Sequence, residues 1–109
     1  MTEPRSFPIA DVLSEVLDER IRQNAKWGEQ NHPDGTRRNG DEDHWAAYFK
    51  NQTDQAATDG AVTWRDILNE ECAEAYAETD PAKLRAELIQ VAAVCVQWVQ
   101  AIDRREARS

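Results

Sequence analysis

Glutamates at positions 70, 71, 74 and 78, followed by Glu87, are the side chains of this 109-residue chain whose types and spacing most call for chemistry. On a helical wheel with Trp64 as origin, the apolar residues from Ile67 round to Cys72 fill an arc from about 300° to about 80°. Glu71 at about 340° and Glu78 at about 320° fall inside that arc, Glu74 at about 280° lies at its margin, and Glu70 at about 240° lies beyond it. On the helix that follows, counted from Leu84, Glu87 sits at about 300°, again on the margin of an apolar stripe, with Gln90 a turn later at about 240°. The two margins can face each other.

Two carboxylates about 4 Å apart repel by roughly 4 kcal/mol at an effective dielectric near 20, and burial adds a desolvation cost. Such a cluster is stable only when protonated or when it holds a cation. Within its own helix the only basic residue is Arg65, at the very start. A divalent ion is therefore the economical counter-charge, and a donor set of carboxylate oxygens favours Mg²⁺ or Mn²⁺. A di-iron centre in a helical bundle uses Glu-x-x-His, a pattern that neither His32 nor His44 completes. The plainer alternative is a solvated acidic helix face.

Composition narrows the partners. Asp and Glu number 21 against 13 Lys and Arg, a formal net charge of −8. An acidic protein gains nothing from phosphate neutralisation, which excludes duplex nucleic acid and anionic membranes as partners; a phosphate ligand would have to arrive with metal ions. Cys72 and Cys95 form neither a CxxC pair nor a zinc-type group, and MTEPRSFPIADVL lacks a basic then apolar leader, which together lead us to expect a reduced, cytoplasmic protein. The most apolar stretch, Leu88 to Ile102, is interrupted by Gln90, Gln97 and Gln100, whereas a membrane span needs about 20 mostly apolar residues.

The elements that must position the glutamates follow from helical periodicity. Ile9, Val12, Leu13, Val16, Leu17 and Ile21 predict a first helix from about Pro8 to Lys26, after which GEQNHPDGTRRNGD reads as a long loop between Gly28 and Asp41. Trp45, Tyr48, Phe49 and Gln52 predict a second helix from Glu42 to about Ala57. Thr63 and Asp66 form a capping-box-like start for a third, running to about Glu78. Asp80-Pro81 supplies a cap and a first-turn proline for a fourth, whose apolar residues continue to Ile102. No segment alternates with period two. The expectation is an all-α, four-helix bundle forming one domain over residues 1–109. The fourth helix has almost no polar face in its middle, which predicts that a second copy covers it, giving a homodimer or homotetramer. The aromatic residues at 45, 48, 49, 64 and 98 are expected in the core or at that interface.

Glu70-Glu71-x-x-Glu74 on one helix, a turn at Thr79-Asp80-Pro81, and Glu87 on the next resemble the EExxE … ExxD pattern of the MazG-like all-α nucleoside triphosphate pyrophosphohydrolases. WRDILNEECAEAYAE, LRAELIQVAAVCVQW and the KWGEQNHPDGT loop extend the likeness over most of the chain. The resemblance implies an Mg²⁺-dependent enzyme that converts a nucleoside triphosphate into the monophosphate and pyrophosphate, with a metal-activated water attacking the α-phosphorus. It implies Glu71, Glu74 and Glu87 as metal ligands and Glu70, with Glu71, as catalytic, Glu70 orienting or activating water. At the position of the family's Asp this chain has Gln90, a neutral and poorer ligand. Either Glu78 or a water takes its place, or fewer ions bind, or catalysis is reduced.

Beside Gly28, Trp27 is placed to stack on a base, with Lys26 meeting phosphate and Gln30, Asn31 or His32 reading base edges; the rival reading of Trp27 is a lid on the core. Arg104 and Arg105 complement the end of the last helix, with a phosphate contact across a dimer as the alternative. Two other functions fit the same residues: a helical nucleotide-sensing or interaction module that kept the fold without turnover, marked by Gln90, and a purely structural acidic bundle.

Overall fold

In a computed structural model, which describes residues 8–108, the chain is all-helical: α1 spans Pro8–Trp27, α2 Glu42–Thr58, α3 Trp64–Tyr76 and α4 Pro81–Ala107. No strand occurs among the described residues. All four helices start within a residue of the positions the sequence indicates. α3 stops two residues short of Glu78, and α4 continues five beyond Ile102, to Ala107.

The helix starts are built as local chemistry requires. Thr63, in extended conformation, accepts a hydrogen bond from the Asp66 amide, and the Asp66 carboxylate accepts in return from the Thr63 amide at 3.0 Å. Two otherwise orphaned amides are thereby satisfied at one end of α3. Asp80 caps α4 with a single bond, its Oδ2 accepting from the Lys83 amide at 3.0 Å, ahead of Pro81, which has no amide proton to place. At the start of α2 Asp41 makes no side-chain cap; its Oδ2 accepts instead from Trp45 Nε1 at 3.0 Å, and Glu42 receives the Asn39 and Gly40 amides.

The helices fall into two compact units, one of the residues up to Pro33 with those from Val96 on, the other of Asp34–Cys95. In the second, α2 lies against α3, and the Thr53 hydroxyl lies 2.9 Å from the Phe49 carbonyl and 3.1 Å from the Asp66 carbonyl, tying the two helices together. Its buried apolar residues are Ala73, Ala75, Leu84 and Val94. In the first unit Val12 and Val96 are buried, but Ile9, Leu13, Val16, Leu17 and Ile21 of α1 stay exposed, Leu17 by 57%. The α1 stripe reads as a core face in the sequence; amphipathicity dictates that a face seeks cover, not that the same chain provides it. The aromatic residues also differ from a simple core. Trp45 and Tyr48 are exposed and pack edge-to-face at 5.6 Å between ring centroids, while Phe49, Trp64 and Trp98 are half-buried. Both cysteines are free thiols. No described helix is long and apolar enough to cross a membrane.

Removing the α3 cap should be measurable. Thr63→Ala leaves the Asp66 amide without its acceptor and should cost about 1 kcal/mol, lowering the midpoint of thermal unfolding by about 4–8 °C in a domain of this size. Circular dichroism melting of the variant checks it, and an unchanged midpoint contradicts it.

Candidate metal centre

Glu71 and Glu74 are three residues apart on α3 and so point to the same side, one turn apart. Glu87 comes from the second turn of α4, which the Asp80-Pro81 start places beside α3. The result is convergence: one carboxylate oxygen from each of Glu71, Glu74 and Glu87 lies within 4.8 Å of the others, and all three side chains are half-buried. Glu71 Oε2 and Glu87 Oε2 are themselves shielded from solvent and have no hydrogen-bond partner. Unpartnered buried carboxylate oxygens are expensive, and each such atom in a folded protein needs an explanation. Three converging carboxylates, two of which carry an orphaned oxygen, suit a divalent cation of the Mg²⁺ or Mn²⁺ type.

The electrostatics bear the strain of that arrangement. Burial, then repulsion from Glu71, Glu87 and Glu70, pushes the Glu74 carboxyl from the ordinary 4.5 up to about 7. Glu71 is raised as well, by burial first and then by Glu87 and Glu70. One counter-charge was not apparent from α3 alone. Lys50 of α2, ion-paired with Asp54 at 3.3 Å, faces Glu70 and Glu74 closely enough to feel both. It lowers the Glu74 carboxyl, but as the weakest of the influences on it, so the like charges prevail.

The remaining candidates are placed differently. Glu70 is half-buried and adds its charge to the cluster without belonging to the converging three. Glu78 also stands outside it: its Oε1 accepts from the Thr79 and Asp80 amides at 3.1 and 3.0 Å, bridging the α3–α4 turn. Gln90 is exposed on α4. A cavity of about 490 Å³ opens beside the centre, walled by Glu74, Glu78 and Glu87 and, opposite in charge, by Arg37. Nothing in the sequence singles Arg37 out, because it lies in an irregular loop without periodicity.

The expected base-reading residues belong to the other unit. Trp27, Gln30 and His32 share a polar cavity of about 570 Å³ with Arg20, Asn24 and Glu29, and Lys26 Nζ lies 4.8 Å over the ring of Trp27. Trp27 is 56% exposed.

The raised carboxyls set a direction for stability. In the folded protein Glu71 and Glu74 hold their protons more tightly than in the unfolded chain, so without metal their contribution is fully present below 4.5 and is lost as pH rises through about 7. Glu42, lowered mainly by its hydrogen bond from the Asn39 amide, and Asp43, lowered mainly by its bond from Arg37, act in the separate window below their ordinary values. The metal-free protein should therefore lose several degrees of thermal midpoint between about pH 5 and about pH 8. Mg²⁺ should restore them at the upper end. Glu74→Gln should flatten the profile in EDTA; a wild-type profile that is already flat contradicts the account.

No protein-family profile, curated protein or solved structure matches this chain.

Proposed function

We propose that the chain is a divalent-cation-dependent nucleoside triphosphate pyrophosphohydrolase of the MazG-like kind, acting on ribo- or deoxyribonucleotides. The observation that carries this reading is the convergence of Glu71, Glu74 and Glu87 with two shielded, unpartnered oxygens on adjacent helices. The EExxE spacing followed by a glutamate on the next helix supports it from the sequence side.

Glu71, Glu74 and Glu87 would hold the ion. When bound, Mg²⁺ or Mn²⁺ supplies positive charge to the phosphates and acidifies water. The protein supplies position and proton handling. Glu70, at the edge of the cluster, aligns the attacking water and takes its proton at a carboxylate oxygen. Attack at the α-phosphorus yields a nucleoside monophosphate and pyrophosphate, and no covalent nucleophile takes part. In the first unit, and independently of the metal centre, Trp27 offers an exposed face for stacking a base, with Gln30 and His32 lining the same cavity for polar contacts and Lys26 beside the ring for phosphate.

Exposed Gln90 favours a second reading, in which the fold binds nucleotide and metal without turnover, since a neutral amide stands where the family pattern carries a carboxylate. Incubation of the protein with Mg²⁺ and a panel of nucleoside triphosphates, with products resolved by ion exchange, separates the two. Monophosphate plus pyrophosphate, lost in EDTA and reduced by at least about a hundredfold in Glu71→Gln with unchanged helical dichroism, is the expected result. Metal-dependent nucleotide binding without product would favour the second reading.

We also propose a self-associated state, which the exposed apolar side chains of α1 and Leu88, Ile89, Val99 and Ile102 of α4 support. Light scattering at micromolar concentration should give at least twice the mass of one chain. Leu17→Glu should lower that mass if α1 forms the interface.

A further inference from the structure

We propose that Arg37 is a phosphate-binding residue, receiving an oligophosphate through the free edge of its guanidinium beside the Glu71, Glu74 and Glu87 centre. This rests on the pyrophosphohydrolase reading for its substrate, though the site itself does not require turnover.

The hydrogen bonds of Arg37 account for three of its five N–H groups. Nη1 and Nη2 donate in parallel to the two carboxylate oxygens of Asp43, both at 2.7 Å. The second proton of Nη1 goes to the Ala77 carbonyl at 3.1 Å. A guanidinium has two forked edges, and Asp43 occupies only the one at its tip. The other, formed by Nε and the remaining proton of Nη2, is unengaged, and two parallel donors in a plane match two oxygens of a phosphate.

The group is held still. Its backbone amide donates to the Tyr76 carbonyl at 2.9 Å, so main chain and side chain are both fastened to the end of α3. Its φ of +56° is uncommon for a residue with a side chain, and these contacts hold it in place. Asp43, with Glu42 and Glu78 close by, keeps the guanidinium firmly charged. A fixed fork loses little freedom on binding an anion. Arg37 also lines the same cavity as Glu74 and Glu87, where it is the only basic residue among the described residues.

Calorimetric titration of the full chain with tripolyphosphate in saturating Mg²⁺ tests this without relying on catalysis. Arg37→Gln should weaken binding by about tenfold or more, and Arg37→Lys, which keeps the charge but not the fork, by a smaller factor. Arg38→Gln, one residue along and facing a different cavity, should leave affinity within about twofold. Dichroism and melting show that each variant is folded; should Arg37→Gln fail to fold, Arg37→Lys decides. Unchanged affinity in a folded Arg37 variant overturns the proposal, and so does a wild-type protein that does not bind tripolyphosphate. Arg37-dependent binding in a protein that hydrolyses no nucleotide would leave this site standing and remove the pyrophosphohydrolase reading.

Discussion

Like charges brought together by two packed helices are the constraint on which the rest of the second unit depends. Glu71 and Glu74 share a helix face because helical spacing leaves them no alternative, and Glu87 joins them because the Asp80-Pro81 turn starts α4 where it does. Each carboxylate raises the cost of ionising its neighbours, as the upward displacement of Glu71 and Glu74 records. Such an arrangement lowers stability unless something is gained from it. The residues on either side of Glu74, Ala73 and Ala75, are buried.

Much of this was legible in residue order because helices turn local spacing into geometry. The cap residues Thr63, Asp66 and Asp80 signal their helices from within four positions, and each makes its hydrogen bond as expected. The convergence of Glu71, Glu74 and Glu87 follows from two regular wheels and one short turn. What escaped the sequence is whatever depends on irregular backbone or on distant segments. Glu78 falls on the apolar arc of a continued helix, but α3 ends at Tyr76, and the side chain turns to satisfy the Thr79 and Asp80 amides instead. The α1 stripe was legible as a face but not as an uncovered one. Lys50 reaches the cluster only because α2 packs against α3, a pairing that no local pattern encodes.

Arg37 shows the same limit more sharply. It lies between turn residues in a loop, 40 positions from the carbonyl it binds, and carries no periodic mark. Its partners make structural sense only once α2 and α3 are adjacent: Asp43 comes from the first turn of α2, and the Tyr76 and Ala77 carbonyls come from the end of α3, where helical carbonyls lack partners of their own. A cation there also complements the negative end of the α3 dipole. The loop is thereby fastened to α2 and to α3, the helix that carries Glu71 and Glu74.

That coupling matters for charge. Three ionised carboxylates holding one divalent cation keep a net charge of about −1, so a polyphosphate would still be repelled at close range unless further positive charge were at hand. Lys50 is committed to Asp54 and to the outer side of the cluster near Glu70. Arg37 is the basic group on the open side, and a guanidinium keeps its proton at any pH the fold survives. The opening of a protein with a formal charge of −8 can then present a short, locally favourable approach to an anion, set by the loop that Arg37 fastens rather than by overall composition.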